Sequence, residues 1–125
     1  MKYFSNGEEI KSNHINIAIE LFAWLDKCRE SQKSMPITYG KLAEKVGLNQ
    51  RGLGPYLGAL STECNEHGLP LISAIVVHKD TQMPAPQFWE MASRNGRGDI
   101  NIDDEKQRVF NQKDWQLLKN RLGLE

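Results

Sequence analysis

Apolar residues recur at helical spacing from residue 13 to about 31. Ile15, Ala18, Ile19, Phe22, Leu25 and Cys28 fall on one stripe, which predicts an amphipathic helix. Ser12 or Asn13 is placed to cap it, and the polar run Arg29 to Ser34 ends it before Met35-Pro36. The next unit, PITYGKLAEKVGL, offers Thr38 as N-cap, a short apolar face of Leu42, Ala43 and Val46, and Gly47 as a left-handed C-cap. Within 49–66, Leu53, Leu57, Leu60 and Cys64 predict a third helix, with Pro55 either in its first turn or at a kink. Leu69 to Val77 is a continuous apolar run rich in β-branched residues and reads as strand, followed by a turn-rich stretch from His78 to Pro86. Phe88-Trp89-Glu90-Met91 fits a second strand or a helical turn, and 93–102 reads as an exposed loop. From Asp103 or Asp104 as cap, Val109, Phe110, Trp115, Leu118 and Leu122 return to helical spacing, with Asn111 as a break point.

Residues 1–12, polar apart from Tyr3, Phe4 and Ile10, read as a flexible arm ahead of one domain over 13–125. Two short helices joined tightly and followed by a β turn suggest an α+β fold. The expectation is a mostly helical winged helix, with a helix-turn-helix, a small β wing and an extra C-terminal helix.

Charge narrows the partners. Sixteen basic residues balance sixteen acidic ones, so the net charge is zero. A protein that coats nucleic acid by charge alone carries a basic excess, and this one does not, although a local basic face remains open. Cys28 and Cys64 have no zinc-ligand spacing and read as two buried free thiols; neither a metal nor a cofactor is expected. MKYFSNGEEIKSN lacks the apolar core of a signal peptide, and no apolar run approaches a membrane span. The chain is therefore expected to be cytoplasmic and without a membrane partner.

Ile37-Thr38-Tyr39-Gly40-Lys41-Leu42-Ala43, Arg51-Gly52-Leu53-Gly54, Leu69-Pro70-Leu71-Ile72 and the Val76-Val77 pair follow one another in an order and approximate spacing that carry a resemblance. The stretch from Ile17 to Phe88 resembles the C-terminal domain of the alkylguanine-DNA alkyltransferases and the related alkyltransferase-like proteins. In that family a Thr/Ser-Tyr-Gly turn starts the helix-turn-helix, an Arg-Ala-Val-Gly segment lies on the recognition helix, and a Pro-Cys-His-Arg-Val-Val strand carries the methyl-accepting cysteine. Aligning Val76-Val77 with that strand puts Ser73 and Ala74 where Cys and His would stand. A thiolate is the family's nucleophile, and a serine hydroxyl without a base is a poor substitute. The resemblance therefore implies a chain that is not an enzyme, closest to the alkyltransferase-like proteins, which also lack the cysteine and bind DNA.

The resemblance further implies partners and contacts. Double-stranded DNA would be bound through the minor groove, with the Arg51 guanidinium filling the gap left by an extruded base. Tyr39 would contact the rotated phosphate, Gly52, Gly54 and Gly58 would let the backbone approach the groove, and Lys79 after the strand would reach a phosphate. Ser73, Ala74, Phe88 and Trp89 would surround the extruded base, with stacking by an aromatic ring worth about 1–3 kcal/mol. Each has an ordinary alternative: Arg51 and Lys79 as solvated turn residues, Tyr39 as a packing anchor, the glycines as turn formers, and Phe88 or Trp89 as core. Two functions follow. One is a non-catalytic DNA-binding protein that recognises altered or flipped bases. The other is a protein-interaction module on a winged-helix scaffold that has lost DNA binding, which the neutral charge favours.

Overall fold

The computed structural model describes residues 2–124. It is mostly helical, with a parallel pair of two-residue strands, an α+β arrangement. The order is α1 (Ser12–Ser31), β1 (Ile37–Thr38), α2 (Tyr39–Val46), a 3-10 turn (Gln50–Gly52), α3 (Gly54–Glu66), a second 3-10 turn (Ile72–Ile75), β2 (Val76–Val77), α4 (Pro86–Arg94), α5 (Ile102–Asn111) and α6 (Gln116–Leu122).

Local chemistry fixes the α2–α3 unit. The Thr38 hydroxyl accepts from Lys41 N at 3.1 Å, closing the first turn of α2. Gly47 ends the helix at φ 72°, and its N–H bonds back to the Ala43 carbonyl. Asn49 then turns the chain, its side chain accepting from Arg51 N at 2.9 Å. Pro55 sits in the first turn of α3, where its missing N–H costs nothing.

Helix α1 runs along the back of this unit. Its inner face is His14, Ile17, Ala18, Leu21, Phe22 and Leu25, while Ile19 of the expected stripe is exposed and Cys28 is only half-buried. Lys11, one residue earlier than expected, is its N-cap. Likewise Asn101, not Asp103 or Asp104, caps α5 by accepting from Asp104 N at 3.0 Å. The break after Asn111 is present.

One further expectation is corrected. The apolar run 69–77 is not one strand: Ile72–Ile75 coil into a 3-10 turn and only Val76–Val77 extend. Every residue from Leu69 to Val77 is buried, and a chain covered on all sides has no alternation to hold it straight. Val76 and Val77 pair in parallel with Ile37 and Thr38, and 78–83 is a turn closed by His78 N donating to the Met83 carbonyl at 2.9 Å. Phe88 to Met91 lies within α4.

The N-terminal arm is also packed onto the body. Phe4 and Ile10 join the hydrophobic core, and Tyr3 and Glu9 form an antiparallel bridge. Ser5 donates both its N–H (2.7 Å) and its hydroxyl (2.6 Å) to the buried carboxylate of Glu63. Phe4 and Tyr56 meet the His14 ring edge-on, each at 4.9 Å between centroids. Lys11 N donates to His14 Nδ1, so the neutral ring carries its proton on Nε2. That nitrogen lies 3.5 Å from Glu8 Oε2, within charge-pair range but outside hydrogen-bonding geometry.

Candidate functional site

A cavity of about 450 Å³ opens between α2, α3, the turn after β2 and the start of α4. Tyr39 reaches it from α2, Gln50 and Arg51 from the 3-10 turn, and Gly54, Leu57 and Gly58 from α3. Ser73 and His78 come from the segment around β2, and Phe88 and Met91 from α4. The parallel pairing of β1 with β2 holds this site together, because it fixes Tyr39 at the end of one strand against His78 at the end of the other. Their rings stand 4.8 Å apart.

Tyr39 is a wall residue. It is buried, and its hydroxyl oxygen accepts from Ala85 N at 2.7 Å, clamping the loop ahead of α4. Burial pushes its pKa up, and the Ala85 N–H offsets only part of that. The phenol keeps its proton at neutral pH, and among the described residues that proton meets no acceptor. Where a phosphate contact was expected, the Tyr39 side chain is turned inwards and lines the cavity.

Arg51 is exposed at the rim, just ahead of α3, its backbone held by the Asn49 side chain and its guanidinium uncommitted among the described residues. Gly52 is exposed beside it, whereas Gly54 and Gly58 form the α3 wall. A methyl on Gly58 would stand 3.8 Å from Met91 Cγ, an ordinary contact that would nonetheless take volume from the cavity. Lys79 is exposed on the turn and does not line the cavity.

The four residues expected around a base divide evenly. Ser73 and Phe88 line the cavity. Ala74 is fully buried and turned into the core, and Trp89 packs against the core with its ring edge-on to Phe88 at 5.4 Å. Gln50 on the 3-10 turn and Gln87 and Met91 on α4 also line the cavity, the last two because α4 folds back over α3.

A wider groove of about 650 Å³ lies beyond Gln87 and Met91, shared by α3, α4 and the arm. It bears Arg51 and Arg94 against Glu8 and Glu90, so its charges balance and offer a run of phosphates no net attraction.

Cys64, the buried thiol of α3, is pushed up to about 12 by desolvation, which leaves it protonated and unreactive. His67 is turned away from it and bonds Glu63 Oε2 at 2.6 Å. Among the described residues no cluster of His, Cys, Asp or Glu could hold a metal ion, and no helix is long and apolar enough to cross a membrane. Comparison with known proteins finds no family model, no curated protein and no solved structure that matches this chain.

Proposed function

We propose that this chain is a non-catalytic DNA-binding protein of the alkyltransferase-like type, built on a winged-helix scaffold, which holds an extruded base in the cavity beside Arg51. The observation that carries the proposal is convergence. Arg51, Tyr39, Ser73 and Phe88, drawn from four separate segments, surround one cavity of about 450 Å³. That volume lies in the range that buries small ligands, and a nucleobase fits it comfortably. Leu57, Met91 and Phe88 supply apolar contact for the faces of a flat ring, with hydroxyls at the edge. The exposed guanidinium at the rim stands where it would replace a base that had left the stack.

In this reading α2 and α3 are the helix-turn-helix, with α3 the helix that meets DNA, and the turn at 78–83 stands in place of a wing. Net neutrality limits the number of phosphates neutralised to roughly three or four, so the salt dependence of binding is shallow. No alkyl transfer takes place, since Ser73 has no base to activate it and the one buried thiol is inert.

Fluorescence titration of labelled duplexes tests the proposal. Arg51→Ala weakens binding to an intact duplex by about tenfold or more, and weakens binding to an abasic duplex less, because the base is already missing there. Lys79→Ala weakens both about equally, as a sequence-independent phosphate contact does. After incubation with an O6-methylguanine duplex the intact mass of the protein is unchanged. Equal affinity of the wild type and Arg51→Ala on every duplex would remove the base-extrusion reading and leave the protein-interaction module in its place.

A further inference from the structure

A second cavity, of about 390 Å³, lies where the arm meets the C-terminal end of α6. Its lining is Lys2 and Tyr3 from the arm, His67 just past α3, and Leu117, Asn120 and Arg121 from α6. It shares no residue with the cavity beside Arg51, and none of its lining residues carries a carboxylate. The polar atoms left open there are donors. Asn120 Oδ1 already accepts from Gln116 Nε2 at 2.7 Å, so its amide N–H groups remain. Arg121 spends Nε on Glu63 at 3.3 Å and Nη1 on the Tyr3 carbonyl at 3.5 Å, and among the described residues its Nη2 meets no partner. The Lys2 ammonium lies against Gly123, which ends α6, and has no acidic partner among the described residues.

We infer that this second cavity binds an oxyanion, a phosphate or a carboxylate, carried on an apolar stem. Charge decides the sign of the ligand. Lys2 and Arg121 bring two positive charges, and Glu63, buried and paired with Arg121, brings one negative, so one positive charge is left for an anion to neutralise. The Glu63 oxygens are already engaged by Ser5 and His67, so they offer nothing to a cation. A guanidinium edge, an ammonium and an amide at one place suit an anion with two or three oxygens, each N–H meeting a separate oxygen. Leu117 and Tyr3, 51% and 48% exposed, border the same cavity and give the stem apolar surface. The donors face solvent, so the site is weak and salt-sensitive. An occupant ties the arm to α6 through a second junction besides the one at Glu63.

Two small anions test this without DNA. Benzyl phosphate and phenylacetate carry the same ring on different oxyanions, and benzyl alcohol is the uncharged control. Amide shifts are followed by NMR at about 0.15 M salt, where attraction between exposed charges is screened beyond about 8 Å. Both anions give saturable shifts at Tyr3, His67, Asn120 and Arg121, and benzyl alcohol gives none. The tighter of the two tells a phosphate site from a carboxylate site. Each anion also raises the melting temperature, since it binds the folded chain. Lys2→Gln weakens both about threefold, as the loss of one exposed charge does. Asn120→Asp keeps the shape but puts a carboxylate among the donors, and abolishes binding. Both positions are exposed, so both variants stay folded. No saturable shift with either anion, equal shifts with benzyl alcohol, or binding unchanged in Asn120→Asp overturns the inference. Shifts of the same size at an exposed lysine elsewhere, such as Lys79, overturn it too, because they show attraction to charge without a site.

Discussion

Two sets of buried polar groups lie on opposite sides of α3, and they are treated differently. On the side of the arm and the C-terminal helices, the carboxylates of Glu63 and Glu105 are saturated. Glu63 receives two bonds from Ser5, one from His67 at 2.6 Å and an ion pair from Arg121 at 3.3 Å. Glu105 receives Leu71 N at 2.7 Å, Arg97 at 2.7 Å and Arg108 at 2.9 Å. On the cavity side, the hydroxyls of Tyr39 and Ser73 each have one hydrogen-bond partner among the described residues. A saturated carboxylate fastens segments to each other, whereas a half-satisfied hydroxyl awaits something from outside. The contrast separates residues that hold the fold from residues whose hydrogen-bonding capacity is left open at the cavity.

The contrast breaks most directly at Glu105. Replacing it with alanine strips Leu71 N of its acceptor and separates α5 from the Arg97 loop. The two arginines are partly exposed and regain water, so the loss is about 2–4 kcal/mol, towards the lower end of what removing one partner of a buried pair costs. Urea unfolding measures it. A loss under about 1 kcal/mol would mean that Glu105 is not a fastening group.

Acid sharpens the same contrast in two steps. Burial lowers the pKa of His14 from its ordinary 6.5, outweighing the pull of Glu8, so the folded chain holds the ring neutral. The associated stability is present above 6.5 and falls as the pH drops below it, since the unfolded chain takes up the proton first. Burial alone would raise the pKa of Glu63, but the two Ser5 bonds, His67 and Arg121 together lower it below its ordinary 4.5. Its contribution is intact above 4.5 and is lost as the pH falls towards the depressed value. Thermal melts from pH 8 to pH 3 are expected to decline twice, with the lower step absent in Glu63→Gln. A single step in the wild type would contradict the pairing.

Tyr39→Phe has a smaller effect on stability. The ring still packs against His78, but Ala85 N–H loses its acceptor, at about 1 kcal/mol. Arg51→Ala is smallest: an exposed residue whose guanidinium has no partner among the described residues changes stability by less than about 0.5 kcal/mol, so any effect on DNA binding is an effect on binding alone.

What could be read from the sequence was whatever is decided within a few residues. The Thr38 cap, the Gly47 stop, the position of Pro55 and the break after Asn111 are local events, and the structure has each. The run 69–77 could not be read so, since a fully buried apolar segment looks the same as strand, 3-10 turn or helix. Glu63 and Glu105 resemble solvated helix positions until partners arrive from Ser5, 58 residues away, and Leu71, 34 residues away. The site was legible in the same measure. Arg51, Tyr39, Ser73 and Phe88 converge, but the inward turn of Tyr39 and the exclusion of Ala74 and Trp89 follow from how α4 folds back, which no local pattern specifies.

The Ser5–Glu63–Arg121 junction has a consequence for the order of events during synthesis. The arm is made before α1–α5 and the arginine that completes its anchor, on α6, after them, with Arg121 also reaching the Tyr3 carbonyl across 118 residues. Closing so long a loop is among the later and entropically costlier steps of folding. A nascent chain can therefore assemble α2, α3 and the cavity while the arm is still loose, with Phe4 withdrawn from the core and Glu63 waiting for its last partner.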